Sequence, residues 1–313
     1  MPRVSAGETV LPLCWPIDLG LTVASHGWAH LAPWCWDPEA GRLGRRERIG
    51  DRLGTIEVAQ RGPEAMILRW EGFTAGALPE IRKRVRRWLS ADWEPASAMS
   101  VLCEDAALIE RGGGRILRCS SFYEDFVKTV LTINTSWSST CRMAAALVAE
   151  PGAGAFPGPD ALLDYGEQRL REHAKLGFRA ATLVSATRRL RDDSAIDDQG
   201  EGQPEYLGHD YLVSLKGIGP YAAAHCRLLL HDFTRIPVDS GVIAYLGAAR
   251  MRPRRIRRKP FGLGSLSRTR LQARPVARKA RRNRDRPTLG ECGDAIDRSA
   301  AGTGQAACRA RMP

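Results

Sequence analysis

A chain of 313 residues, 43% apolar and 26% charged, is long enough to bury a large core and to divide into two lobes, because single cores seldom grow beyond ~250–300 residues. No stretch reaches the ~18 consecutive apolar residues needed to cross a bilayer, and the opening MPRVSAGETV lacks the apolar run of a secretory leader, which predicts a cytoplasmic protein with no membrane partner. The formal net charge of +12 does not argue for nucleic-acid binding by the folded part, since residues 250–313 carry a net +15 and residues 1–249 a net −3.

Residues 1–117 read as an antiparallel sheet lobe. Short strands such as GTIEVAQRG and AMILRWEG are broken by Gly and Pro, and one amphipathic helix lies in LPEIRKRVRRWLSADW. Tryptophans 15, 28, 34, 36, 70, 88 and 93 all fall here, and most are expected in the core. His26, His30 and Cys35 invite a metal reading. Pro33 and the neighbouring tryptophans argue instead for an irregular or strand segment with no fourth ligand close by, so no metal is expected.

Residues 118–249 read as an all-helical lobe, with helices over 122–133, 138–149, 159–176 and 180–190 separated by the turn-rich linkers AEPGAGAFPGP and DDSAIDDQGEGQPEY. Together the two lobes make an α+β protein. The eight cysteines are scattered without a C-x-x-C pair, which reads as reduced thiols, several of them in the core. From about Ala249 the apolar periodicity stops and arginine recurs at every second or third place, predicting a disordered basic tail over 250–313. Two readings of it stand: an arm that gains affinity by releasing counterions from phosphates, or the product of a shifted reading frame.

The stretch that carries chemistry is LVSLKGIGPYAAAHCRLLL, followed by RIPVDSGV. A helix ending near Ser214, the turn Lys216-Gly217-Ile218-Gly219-Pro220 and a new helix from Tyr221 form a helix-hairpin-helix. Gly217 and Gly219 permit positive φ and close backbone approach, Ile218 plugs the hairpin into the core, and Pro220 suits a first helical turn. Backbone N–H groups gathered at such a helix start can hold a phosphate oxygen without reading sequence. Asp239, before SGVIAYL, reads on its own as an N-cap.

These segments resemble the signature of the helix-hairpin-helix (HhH-GPD) DNA glycosylase superfamily, nearest its alkylpurine and 8-oxoguanine branches. FYEDFVKTVLTINTSWSST resembles the family's first barrel helix and wedge loop, and LGFRAATLVSATRRL its Gly-[Tyr/Phe]-Arg-Ala helix, so the likeness spans roughly residues 120–246. The resemblance implies that Asp239 is the catalytic carboxylate, stabilising positive charge on the sugar as the glycosidic bond breaks. Capping and catalysis are compatible, since a cap bond orients the carboxylate. Tyr221 stands where bifunctional members carry the Schiff-base lysine, and Lys216 lies on the wrong side of the turn to replace it. A monofunctional enzyme using water therefore follows. Only Cys292 and Cys308 come after Asp239, too few for the iron–sulfur cluster of some relatives, so no cofactor is expected beyond a monovalent cation at the hairpin. Asn134 falls at the place of a residue that enters the gap left by an extruded base; alternatively it starts a turn and caps the next helix. Trp137 and Tyr221 stack on the base or pack in the core. The implied partner is double-stranded DNA containing a damaged base, first an alkylated one, bound by a monomer in base-excision repair. Two alternatives remain open: a non-catalytic hairpin module that only binds DNA, and a relative damaged after Ala249, where the family continues into helices.

Overall fold

The computed structural model describes residues 5–101, 106–239 and 242–243. The basic tail over 250–313 lies outside the described residues, as do Cys103, Cys292 and Cys308.

Five strands form one antiparallel sheet: β1 (Ser5–Pro12), β2 (Trp34–Asp37), β3 (Arg42–Ile49), β4 (Arg52–Gly62) and β5 (Ala65–Phe73), in the order β1-β5-β4-β3-β2. Alternation decides the faces. Ile56 and Val58 of β4 sit opposite Trp70 and Leu68 of β5, and Ile56, Val58 and Leu68 are buried while their chain neighbours are not. A short helix, α1 (Leu19–Val23), and a 3-10 turn (Gly27–His30) fill the β1–β2 connection. After β5 the chain forms α2 (Leu78–Trp88), whose Ile81, Val85 and Trp88 recur at helical period and are fully buried. Trp88 meets Trp34 of β2 edge to face at 4.9 Å, and each such apolar side chain stabilises the packing by ~1.5–3 kcal/mol. Two short helices, α3 (Ala96–Val101) and α4 (Ala106–Glu110), follow.

The helical lobe is arranged around α5 (Phe122–Leu131), all ten residues of which are buried. Around it lie α6 (Trp137–Ala149), α9 (Arg179–Asp192) and α11 (Pro220–Leu229), with α7 (Pro159–Tyr165), α8 (Glu167–Glu172) and α10 (His209–Ser214) outside them. The single helix expected over 159–176 is two helices, because Gly166 takes φ +82° and breaks the hydrogen-bond ladder between α7 and α8. One apolar core runs from Leu11 to Leu229 across both lobes. All seven tryptophans of the sheet lobe are buried or half-buried, as their spacing suggests; Trp137, the eighth, is 40% exposed.

Charges join the lobes. Arg45 of β3 donates to both carboxylate oxygens of Glu124 on α5, at 2.9 and 2.7 Å, and its Nε stands 2.6 Å from Glu47. Lys128 lies 2.9 Å from Glu124, and Arg84 of α2 pairs with Glu47. The next residue on α5, Asp125, accepts from Arg87 of α2, from the Trp28 indole and from the Cys119 amide, each at 2.9 Å. Buried charges survive only when paired and hydrogen-bonded in this way. Burial alone would raise the Glu124 carboxyl, but Arg45 and Lys128 outweigh it and hold the group down at about 2.

Among the described residues no helix is long and apolar enough to cross a membrane. Cys119, Cys141 and Cys226 are buried, whereas Cys14 and Cys35 are exposed.

Candidate active site

The hairpin forms where the glycine pattern places it. α10 ends at Ser214, and the Ile218 amide donates to Leu215 O at 3.0 Å to close the turn. Ile218 is buried, whereas Lys216, Gly217, Gly219 and Pro220 are exposed. The two glycines differ in their reason. Gly217 has φ +86°, and a β-carbon there would come within 2.7 Å of Thr182 Oγ1 on α9. Gly219 does not use a positive φ: it is extended, at φ −90° and ψ 175°, and a β-carbon would meet open space. It is the N-cap of α11, with Pro220 first in the helix. First-turn amides of a helix have no intrahelical partner, so the exposed backbone at Gly219 lies beside donors suited to an anion.

Asp239 stands ten residues beyond the end of α11 and is half-buried. Its Oδ1 accepts from the Val242 amide at 2.7 Å, and its carbonyl accepts from the Ile243 amide at 3.0 Å. It is therefore the N-cap that its position before an apolar run suggests. The same bond fixes the rotation of the carboxylate.

One face of α11 carries Tyr221 and His225, four residues apart and stacked at 6.0 Å between ring centroids. His225 packs edge-on against Trp28 at 5.1 Å and His26 at 5.8 Å, both from around the 3-10 turn of the sheet lobe. His26 Nε2 lies 2.6 Å from Leu117 O and so carries the proton there. Burial lowers the pKa of His30. Trp137, the first residue of α6, lies over Gly27: a β-carbon on Gly27 would fall 2.4 Å from its ring. His26, Trp28 and His225 thus pack on one another between the lobes, buried, with half-buried Tyr221 stacked on His225 and exposed Trp137 over Gly27. Of these, the chain pattern had singled out Tyr221 and Trp137. The Tyr221–His225 spacing was a readable sign of His225, while Trp28 and His26 join only through the tertiary fold. His26, His30 and Cys35 do not form a metal site: among the described residues no group of three or more His, Cys, Asp or Glu side chains could hold an ion.

Asn134 is exposed, in the loop between α5 and α6, at φ +48°. It does not cap α6; Ser136 does, its hydroxyl accepting from the Ser139 amide at 3.3 Å. A left-handed φ is one that asparagine adopts more readily than most residues. Phe178, just before α9, is 56% exposed and was not among the site candidates, although it stands in the Gly-Phe-Arg-Ala stretch that carries part of the resemblance.

No protein-family model and no curated protein matches the chain. Solved structures do. A 3-methyladenine DNA glycosylase from Archaeoglobus fulgidus superposes with a TM-score of 0.64 at 19% identity, over 84% of this chain and 96% of its own. An 8-oxoguanine glycosylase/lyase from Clostridium acetobutylicum, in complex with double-stranded DNA holding cytosine opposite 8-oxoguanine, gives 0.64 at 16% identity over 89% and 98%. MBOgg1, in complex with a low-affinity DNA ligand, gives 0.63 at 17% over 88% and 99%. Sheet lobe and helical lobe together, the chain has the fold of the helix-hairpin-helix DNA glycosylases.

Proposed function

We propose that the protein is a DNA glycosylase that hydrolyses the N-glycosidic bond of a damaged base in duplex DNA, the first step of base-excision repair. The observation that carries the reading is the pairing, on this fold, of an exposed hairpin backbone at Lys216–Pro220 with a downstream carboxylate, Asp239, held in one orientation by the Val242 amide. The hairpin grips a phosphate of the damaged strand through backbone donors. Asp239 stabilises the cationic sugar that develops as the bond to the base lengthens and orients the attacking water. Tyr221 occupies the place of a Schiff-base lysine, which supports water as the nucleophile and no strand-cutting step. The reading calls for no cofactor beyond a monovalent cation at the hairpin, and for a monomer acting in the cytoplasm.

The lesion proposed is an alkylated purine. Such bases carry positive charge, which ring faces attract, and half-buried Tyr221 and exposed Trp137 are the rings here that solvent reaches. Asn134 enters the gap left by the extruded base, and Trp137 and Tyr221 stack near it.

Incubating the protein with duplexes that each carry one defined lesion, then cleaving abasic sites with alkali, tests the proposal. Alkylated purine should be released, with strand breaks only after alkali. Asp239→Asn keeps a capping side chain and should bind duplex within about threefold of wild type while losing base release. Base release by Asp239→Asn at the wild-type rate would refute the catalytic assignment.

A further inference from the structure

The loop carrying Asn134 is held by a side chain that the reaction scheme above does not use. Arg179, the first residue of α9, is only 7% exposed. Its Nη2 donates to the carbonyls of Ile133 and Asn134, the latter at 3.2 Å. The guanidinium carbon lies 4.4 Å from the centroid of the exposed Phe178 ring. Its Nε has no hydrogen-bond partner, and no carboxylate offsets its charge among the described residues. This is a costly placement. A cation at the first position of a helix opposes that helix's dipole, and a buried charge without a counter-ion is usually replaced by a neutral group. Two carbonyls just beyond the negative end of α5 and one aromatic face are what compensate it.

We infer that Arg179 is a positioning residue, locking the Asn134 turn and Phe178 into one rigid unit at a fixed spacing from the phosphate-gripping hairpin. The spacing follows from α9 itself. Thr182, one turn beyond Arg179, packs directly against Gly217, where a β-carbon would clash with it. The first turn of α9 is therefore a strut, with the Asn134 loop on one side and the hairpin on the other. A left-handed turn in an exposed loop has neighbouring conformations of similar energy, and two hydrogen bonds to consecutive carbonyls select one of them. One amino group of the guanidinium donates to both acceptors while its plane lies on a ring, a stacked placement that a lysine ammonium does not reproduce. The inference rests on the glycosylase reading for its consequence but not for its geometry.

The test compares wild type with Arg179→Ala and Arg179→Lys in two measurements. The first is backbone amide exchange, in which Arg179→Ala should speed exchange across 134–136 while leaving the hairpin around Ile218 protected. The second is the fluorescence rise of 2-aminopurine placed in a duplex, which reports base extrusion without chemistry. Arg179→Ala should lower that rise and single-turnover base release by about 10- to 100-fold, with duplex affinity and melting temperature close to wild type. Arg179→Lys should recover part of the loss. If Arg179 acts through the loop, Asn134→Ala and Arg179→Ala should be strongly non-additive. Unchanged exchange at 134–136, additive effects, or a parallel fall of extrusion, affinity and melting temperature would overturn the inference. Loosened exchange at 134–136 in a protein that extrudes and releases no base from any duplex would uphold the positioning role and reject the glycosylase reading.

Discussion

Glu124→Gln is the most informative perturbation of the fold, because it keeps the shape of the side chain and removes its charge. In the wild type Glu124 takes both hydrogen bonds of the Arg45 fork and the Lys128 ammonium. The amide leaves Lys128 without the charge it faces and Arg45 with Glu47 alone, which Arg84 shares. Removing one partner of a buried ion pair costs ~3–5 kcal/mol, and the surviving Arg45–Glu47 contact places the loss at the lower end. A second route agrees. Holding a carboxyl at about 2 instead of its ordinary 4.5 corresponds to about 3 kcal/mol, at ~1.4 kcal/mol per tenfold change in proton affinity. With a urea m-value of ~3 kcal/mol per molar, the upper end of the small-protein range, the midpoint should fall by ~1 M with m unchanged. The pH dependence has a definite sign. A depressed folded pKa stabilises the protein above the unfolded value, and that contribution is lost as pH falls from about 4.5 toward 2. The gap between wild type and Glu124→Gln should therefore be full at pH 6 and close as the pH approaches 2. Urea melts at stepped pH measure it. Equal midpoints at pH 6, or a gap that persists unchanged at pH 2, would refute the reasoning.

Three further outcomes follow from the geometry. Gly217→Ala should lower stability by at least the ~1–2 kcal/mol of a left-handed backbone and weaken duplex binding, whereas Gly219→Ala, extended and facing open space, should leave the melting temperature unchanged; equal melts would refute the distinction. Burial, aided by Arg118, holds the His231 imidazole down at about 3, so its ring proton resonance should stay flat from about pH 8 to pH 5. Stability from the neutral ring is complete above about 6.5 and lost as pH falls toward 3. Gly27→Ala should push Trp137 off its seat, read as a red shift of tryptophan emission; an unchanged spectrum would mean that the contact yields.

Much of this architecture was legible in the chain. Strands β4 and β5 and helix α2 follow from period alone, the hairpin from Gly and Pro, and the cap at Asp239 from its place before an apolar run. What was hidden is long-range. Arg45 and Glu47 within the charged stretch RLGRRERI are buried, because Glu124 arrives from 79 positions away to neutralise the arginine. The ring cluster around His225 escaped for the same reason, since two of its rings come from the other lobe. Gly166 escaped because a glycine inside a helical pattern does not announce its φ, and the cap reading of Asn134 failed because its carbonyl is held by an arginine 45 positions later.

The full enclosure of α5 bears on any attempt to divide this protein. Severed from the sheet, a fragment starting near residue 118 would carry Glu124, Asp125 and Lys128 on what was an interior surface, stripped of Arg45, Arg87 and Trp28. The sheet fragment would in turn expose a hydrophobic floor studded with orphaned arginines. Neither half should survive expression alone, and calorimetry of the intact chain should show one cooperative endotherm spanning both halves.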